Sequence, residues 1–168
     1  NSAKAAMEYG LKDKCKIVHA LLFEPNIKGA GPEVFADNYV AASWNWKVDY
    51  PGAREYADKY FERHGERPHF MAAAVYSATW QYLEAVKRAG STDPDKVIAA
   101  LEGHTFRDMF ADPGYIRPGD HMQVGKALLL RAKRPEEIAQ QDDFFEIVGT
   151  LPPEEAFGEE GQFGCDLD

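Results

Sequence analysis

Residues 16–23 read KIVHALLF, a nearly continuous apolar run of strand length that stops at Glu24-Pro25-Asn26. Such runs are typical of strands that are buried on both faces of a parallel α/β sheet. In open α/β sheets, ligands bind beside the carboxyl ends of the strands. The stretch therefore predicts an α/β fold, and it makes Phe23 and Glu24 the first candidates for a binding site.

The segments outside this run predict both helices and further strands. Helices are predicted at residues 2–10, 53–64, about 69–89 and 92–103. Extended segments are predicted at residues 38–45, 115–117, 123–131 and 144–148. Thr92 and Asp95 have the spacing of a capping box, which predicts that Thr92 caps the last of the helices. This order differs from the regular alternation of a complete doubly wound domain, and it fits a chain that passes between two lobes.

Composition excludes several classes of protein. The 168 residues carry a net charge of -9, whereas a general nucleic-acid binder needs a basic face. The same charge argues against attachment to an anionic membrane through a polybasic patch. Because the chain holds 10 Phe, 8 Tyr and 3 Trp, we expect it to be folded and not intrinsically disordered.

Searches for catalytic and metal-binding motifs find no match. Gly29-Ala30-Gly31 begins like a dinucleotide-binding fingerprint, but Val34 occupies the third glycine position. The sequence has no phosphate-binding loop, no GxSxG nucleophile elbow and no HExxH motif. The histidines lack metal-ligand spacing, and Asp120-His121 lies in a Pro-Gly turn. Neighbouring carboxylates are predicted to form solvated acidic surface, at Glu136-Glu137, Asp142-Asp143 and Glu154-Glu155.

The ends of the sequence and its cysteines leave alternatives open. No apolar run approaches the roughly 20 residues that span a bilayer, and the sequence does not begin with a signal peptide. We therefore expect either a cytoplasmic protein or a chain whose N-terminal part is missing. Cys15 and Cys165 either form a disulfide, with each other or with other cysteines, or are buried thiols.

Aromatic side chains provide the remaining candidates for ligand contact. Trp44 and Trp46 alternate in an extended run, so both face one side, where they either line a pocket or pack in the core. Phe70 and Met71 open the long helix, and they belong either to the core or to a carboxylate site at the helix N-terminus. Glu24 either accepts a hydrogen bond from a ligand ammonium or hydroxyl group, or is an exposed loop acid.

Four stretches, in their order and spacing, resemble the branched-chain amino-acid type of periplasmic solute-binding proteins. They are EYGLKDKCKIVHALLFEPNIKGAG (8–31), NYVAASWNW (38–46), the helical stretch 55–103 and GYIRPGDHMQVGKALLLRAKRP (114–135). The most specific parts are Tyr76-Ser77-Ala78, the link at 89–93 and the turn at 116–121. Gly164-Cys165 also resembles the end of the family's chains.

The resemblance implies the type I periplasmic binding fold, in which two Rossmann-like α/β lobes are joined by crossover strands. Residues 1–37 would belong to the second lobe, 38–49 to a crossover and 50–103 to helices of the first lobe. Residues 104–168 would return to the second lobe, the hinge and a C-terminal tail. Ligand is held in the cleft between the lobes, and hinge closure encloses it.

The implied function is that of the extracytoplasmic, periplasmic solute-binding component of an ABC importer, with no enzymatic activity, cofactor or metal. The ligand would be an amino acid, an amide or an aromatic carboxylate, and the partner an ABC permease. Phe23 and Glu24 correspond approximately to the family's acidic contact with the ligand amine, and Met71 to another cleft side chain. With Phe70 and Trp44, they form the expected binding site. The alternatives are a ligand-sensing receptor of the same fold and, less favoured, a small α/β enzyme.

In the family, the loops that grip the ligand carboxylate and the strands of the first lobe come from an N-terminal portion, which this sequence does not match. The helices of residues 50–103 therefore have apolar stripes but no sheet to cover. We expect the chain to be a truncated or partial product. The N-terminal part of the same protein, or an oligomer partner, would then cover these helices.

Overall fold

The computed structural model describes residues 2–162 and Gly164, and it confirms a mixed α/β fold. The helices are α1 Ser2–Glu8, α2 Glu24–Ala30, α3 Pro32–Phe35, α4 Ala53–His64, α5 Phe70–Ala89, α6 Pro94–Leu101 and α7 Pro153–Ala156. The strands are β1 Val18–His19, β2 Tyr39–Ala42, β3 Thr105–Phe106, β4 Gly114–Ile116, β5 Gln123–Val124, β6 Ala127–Ala132 and β7 Phe145–Leu151. Over the described part of the chain, no helix is both long and apolar enough to cross a membrane.

The strands form two separate sheets. The larger sheet has the order β1-β2-β6-β7, in which β1 is parallel to β2 and the other pairs are antiparallel. The smaller sheet has the order β3-β4-β5 and is antiparallel. The extended segment expected at 123–131 is interrupted at residues 125–126, so its two ends contribute to different sheets.

The run at residues 16–23 does not form the strand that its pattern predicts. Only Val18 and His19 form the strand β1, which lies at the edge of the larger sheet and therefore has one neighbour, β2. Val18 is 68% exposed and Leu21 is 71% exposed, so the expectation of burial on both faces is wrong. The chain leaves the sheet directly after β1, which places Phe23 and Glu24 at the start of α2.

The predicted helices are confirmed, with one correction to a cap. α4 and α5 end at Gly65 and Gly90, which adopt positive φ angles of 72° and 60° that glycine tolerates readily. The cap of α6 is Asp93 and not Thr92. Asp93 Oδ1 accepts a hydrogen bond from the backbone N–H of Lys96 at 3.3 Å, because the helix starts at Pro94, one residue later than a Thr92 cap requires.

A closed apolar core lies between the larger sheet and the elements that cover it. Its buried side chains include Leu22, Ile27, Val34, Val40, Trp44, Leu128, Leu130 and Phe145. Trp44 and Trp46 follow the end of β2, and both are buried. This core positions the loop between β2 and α4 against the first turn of α2.

Helix α5 packs with the opposite polarity. Its buried residues are small or polar, namely Ala73, Ser77, Gln81 and Ala85. Its large apolar side chains are mostly 44–61% exposed, namely Met71, Val75, Tyr76, Trp80, Tyr82 and Leu83. We call these six residues the α5 apolar face. The large apolar side chains that the sequence predicts on this helix are therefore present and largely exposed among the described residues, although the ring of Tyr76 lies 5.0 Å from that of Tyr56 in α4.

Candidate ligand-binding site

A cavity of about 170 Å³ lies where β2, the start of α2 and the start of α5 meet. Four of the five candidate site residues, Phe23, Glu24, Trp44 and Phe70, line it. Met71 is not among its lining residues and is 44% exposed. The other lining residues, which sequence reasoning did not select, are Leu21, Leu22, Val40, Ala41, Ala42, Ser43, Ala127, Leu130 and Phe145. The structure therefore brings together residues that lie up to 124 positions apart in the sequence, from Leu21 to Phe145.

The start of α2 fixes Phe23 and Glu24 against this cavity. The backbone N–H of Phe23 donates to Asn26 Oδ1 at 2.9 Å, and the N–H of Asn26 donates to the Phe23 carbonyl at 2.9 Å. Pro25 suits the first turn of a helix, where its missing N–H is not needed. This local bonding explains why Glu24-Pro25-Asn26, which the sequence marks as a break, begins a helix.

An aromatic wall forms one side of the cavity. The rings of Phe23 and Phe70 are nearly parallel, with a centroid distance of 6.0 Å and an interplanar angle of 9°. The ring of Phe70 also contacts that of Phe110, at 6.0 Å. Such a wall suits an apolar or aromatic ligand group.

Trp44 contributes only its apolar surface to the site. It is 1% exposed, and its Nε1–H donates to the Met109 carbonyl at 2.7 Å. Trp46 lies away from the cavity, with the guanidinium of Arg67 4.9 Å from its ring centroid. Of the two roles that the sequence left open for the tryptophans, Trp44 combines pocket lining and core packing, and Trp46 packs in the core.

Glu24 is the one charged side chain that lines the cavity, and it is 6% exposed. It is therefore not the exposed loop acid of the alternative interpretation. Burial raises the pKa of Glu24 from its ordinary value of 4.5 to about 7; its own backbone N–H opposes that shift, and the charge of Asp142 adds to it. The charges of Lys28 and Lys47 lower the pKa of Glu24 by smaller amounts.

A cluster of ion pairs forms around two buried carboxylates, and its charges act on Glu24. Lys28 Nζ is 2.8 Å from Asp142 Oδ1, and Lys47 Nζ is 2.7 Å from Asp143 Oδ1. Lys133 Nζ is 2.5 Å from Asp143 Oδ2. Asp142 and Asp143 are 3% and 5% exposed, so the expectation that this pair is solvated is wrong. The signal that could have located it is the phenylalanine pair at 144–145, which continues directly into a strand.

A second cavity, of about 460 Å³, lies beside α5 and is mostly apolar. It is lined by Ser43, Phe70, Ala74, Ser77, Ala78, Gln81, Tyr82, Ile98, Leu101, Phe106, Phe110, Ile116, His121 and Gln123. Ser43 and Phe70 line both cavities, so these two residues separate them.

The remaining polar candidates do not form a site within the described residues. Residues 118–120 form a turn, which confirms the turn interpretation of Asp120, and Asp120 accepts a hydrogen bond from Arg117 Nε at 3.0 Å. Across residues 2–162 and Gly164, no group of three potential metal ligands comes together. Cys15 is exposed, which contradicts burial of its thiol. Cys165 lies outside the described residues, so a disulfide between the two stays a prediction.

Comparison with known proteins identifies relatives of the whole chain. A family model described as periplasmic binding protein matches residues 1–137. A periplasmic binding protein from Burkholderia mallei is 34% identical, with a TM-score of 0.87, over 98% of this chain and 43% of its own. A branched-chain amino acid ABC transporter periplasmic ligand-binding protein from Burkholderia xenovorans is 35% identical, with a TM-score of 0.82, over 94% of this chain and 42% of its own. An amino acid ABC transporter substrate-binding protein from Pseudomonas fluorescens is 25% identical, with a TM-score of 0.85, over 99% of this chain and 44% of its own.

These matches confirm the resemblance that the sequence motifs carry. The chain spans about two fifths of the length of the three solved structures. Comparison with curated protein sequences gives no significant match. The family model covers most of the chain, and the α/β fold is that of the type I periplasmic binding proteins. The chain belongs to the periplasmic binding protein family.

Proposed function

We propose that the chain is part of the extracytoplasmic solute-binding component of an ABC importer, and that it captures a small organic ligand for a permease. Two relatives of at least 25% identity are ABC transporter binding proteins, which supports this role. Capture needs binding without chemistry, in agreement with the empty search for catalytic motifs. A periplasmic location follows from the role and is proposed with it.

The observation that carries the proposal is the buried Glu24 carboxylate in an otherwise apolar and aromatic cavity. A buried carboxylate is costly unless a cation or hydrogen-bond donors reach it. A ligand that carries an ammonium group beside an apolar side chain supplies both the cation and the apolar surface. We therefore propose an amino acid as the ligand class, with Glu24 at the ammonium group and Phe23, Phe70 and Trp44 around the side chain.

The cavity of about 170 Å³ is smaller than the roughly 300–1,000 Å³ of most ligand sites. We propose that it is one wall of a cleft between two lobes. The division of the chain into residues 1–37, 38–49, 50–103 and 104–168 belongs to this proposal. Met71, which lies exposed beside Phe70, would then contact ligand only from the rim of that cleft.

Calorimetric titration with matched ligands tests the site. L-Leucine and L-phenylalanine should bind, whereas 4-methylpentanoate and 3-phenylpropanoate, which lack the ammonium group, should bind at least about tenfold more weakly. Glu24→Gln should weaken binding of the two amino acids by about 10–100-fold, because a charge-assisted hydrogen bond is lost. Glu55→Gln is the matched control, since Glu55 is exposed and does not line the cavity. Equal binding of both ligand sets would contradict the ammonium contact.

We also propose that the α5 apolar face packs against a further lobe of the same protein, as the sequence expectation has it. Six exposed large apolar side chains on one helix exceed what a soluble monomer normally presents without a partner. Light scattering of the 168-residue chain should show self-association, and a hydrophobic dye should bind it. A monodisperse monomer that binds no dye would contradict this packing.

A further inference from the structure

Lys28 is the cation that helical geometry places nearest to Glu24. The two residues lie four positions apart in α2, with the glutamate on the N-terminal side, which is the favourable order for an ion pair on a helix. Lys28 nevertheless pairs elsewhere. Its Nζ atom lies 2.8 Å from Asp142 Oδ1 and 3.0 Å from Glu66 Oε2. Within the described residues, Glu24 forms no ion pair with Lys28.

Lys47, the other cation whose charge acts on Glu24, is also engaged. Its Nζ atom lies 2.7 Å from Asp143 Oδ1, and it donates to the carbonyl of Phe145. Both lysines whose charge acts on Glu24 therefore pair with Asp142 or Asp143. Glu24, which lines the cavity, is left without an ion pair to either lysine.

Asp142 is fixed in place independently of Lys28. Its Oδ2 atom accepts a hydrogen bond from the backbone N–H of Arg67 at 2.7 Å. Its own backbone adopts a φ of 64°, and the residue is 3% exposed. An anion held in this way by the backbone offers Lys28 a constant partner.

We propose that Asp142 is a positioning residue, which holds Lys28 away from Glu24 and so reserves the Glu24 carboxylate for a cation of the ligand. This inference rests on the proposed function, because it assigns the regulation of the same site. It goes further in making ligand capture depend on a residue that does not line the cavity.

The arrangement gives ligand capture a pH dependence with a definite sign. The charged groups that act on Glu24 are Asp142, Lys28 and Lys47. Burial first, and then Asp142, raise the pKa of Glu24, which reaches about 7. A ligand ammonium needs the ionised carboxylate, so affinity should rise as the pH increases through about 7 and should then level off.

Asp142→Asn tests the inference, because it removes the charge and keeps an oxygen for the N–H of Arg67. Lys28 then keeps the half-exposed Glu66 carboxylate as a partner, loses its buried one, and can pair with Glu24. We expect the Glu24 titration, followed by carboxyl carbon NMR of the purified protein, to move down by about one pH unit or more. Calorimetry with L-leucine at about pH 8.5 should show affinity lowered by about tenfold, since Lys28 competes with the ligand ammonium. An unchanged titration and an unchanged affinity would overturn the proposal.

A second substitution separates positioning from simple damage to the fold. Asp142→Asn combined with Lys28→Met should restore L-leucine affinity at high pH, because the competing cation is gone. Lys28→Met alone should raise the Glu24 titration midpoint and leave affinity at high pH unchanged. The single variant Lys28→Met therefore tests the proposal even if Asp142→Asn fails to fold. A loss of L-leucine affinity in Lys28→Met would overturn the proposal.

Failure of the two proposals gives different results. If L-leucine does not bind the unchanged protein at any pH, the proposed ligand class is wrong. The NMR titration of Glu24 still reports whether Asp142 controls its charge. If L-leucine binds and the midpoint of the Glu24 titration is unchanged in the Asp142 and Lys28 variants, the proposed ligand site is supported and the positioning role of Asp142 is wrong.

Discussion

The larger sheet and helix α5 bury opposite kinds of side chain. Around the sheet, large apolar residues such as Trp44 and Val40 are 1–2% exposed. On α5, Ser77 and Gln81 are buried and Trp80 is 50% exposed. The sheet side is thus a finished core, whereas α5 presents an apolar face that still has surface to bury. The candidate binding cavity lies between these two regions, with Trp44 from one and Phe70 from the other.

A specific set of hydrogen bonds explains why α5 buries its polar side chains and exposes its large apolar ones. The polar residues of α5 have their own partner in Asp108. Its Oδ2 atom accepts hydrogen bonds from Ser77 Oγ at 2.6 Å and Gln81 Nε2 at 3.1 Å. This bonding holds the polar side of α5 inward, and the apolar side is then left for a partner.

A matched pair of tryptophans should give the largest contrast between the two regions. Trp44→Ala should lower the free energy of unfolding by about 3–5 kcal/mol, because it leaves a large void in a closed core. Trp80→Ala should change the free energy of unfolding by less than about 0.5 kcal/mol, and it should weaken self-association. Urea denaturation followed by far-UV circular dichroism measures the two unfolding free energies, and light scattering measures self-association. Equal losses of unfolding free energy in Trp44→Ala and Trp80→Ala would contradict the contrast between the two regions.

The polar side of α5 depends on Asp108, which also accepts hydrogen bonds from the N–H groups of Phe110 at 2.8 Å and Ala111 at 3.0 Å. Asp108→Ala should cost about 2–4 kcal/mol of unfolding free energy, since several part-buried donors lose their acceptor together. Asp95→Ala, at an exposed position, should cost less than about 0.5 kcal/mol. Urea denaturation compares the two variants. A near-neutral Asp108→Ala would mean that α5 is held in its orientation by other contacts.

On the sheet side, Glu24 is the buried charge that works against folding. Its pKa is raised, so the folded state binds the proton more tightly than the unfolded state does. Its contribution to stability is therefore most favourable below the ordinary value of 4.5 and is lost as the pH rises to about 7.

Glu24→Gln should consequently stabilise the protein by roughly 2–3 kcal/mol at about pH 8 and have little effect near pH 4. The difference in unfolding free energy between Glu24→Gln and the unchanged protein isolates Glu24, because every other titrating group is common to both proteins. Urea denaturation at the two pH values is the measurement. Destabilisation at about pH 8 would show that a cation of the chain already compensates the carboxylate.

How far the sequence predicts this molecule depends on whether a feature is local. The bounds of α4 and α5 follow from apolar spacing and from glycines that end the helices. The run at residues 16–23 is read wrongly, because only the position of β1 at the sheet edge shows that it has one neighbour. By contrast, the sequence does predict Glu24 as a site residue, because it directly follows an apolar run. The burial of Asp142 depends on a contact with Arg67, 75 residues earlier in the chain, and no local pattern predicts that contact.

Arg131, on the outer surface of the sheet side, provides the contrast to Glu24, since it is surrounded by partners. Its guanidinium lies 2.8 Å from Asp37, 3.0 Å from Glu137 and 2.7 Å from Glu146. Hydrogen bonds from Arg134 first, and from Arg131 after the cost of desolvation, lower the pKa of Asp37. The stability that this network supplies is therefore present above the ordinary carboxylate pKa and is lost as the pH falls below it, through the lowered pKa of Asp37.

Arg131→Met should have the smallest effect, a loss of about 1 kcal/mol of unfolding free energy at low salt, because the three partner carboxylates are 35–49% exposed and are screened by water and ions. The loss should shrink in about 1 M salt, where the screening length falls to about 3 Å. Urea denaturation at the two salt concentrations checks this, with Arg131→Lys as the conservative variant. If the loss of unfolding free energy is the same in high salt, the aliphatic part of Arg131 stabilises the protein by packing and not by charge. Apolar packing would then extend to the outer surface of the larger sheet.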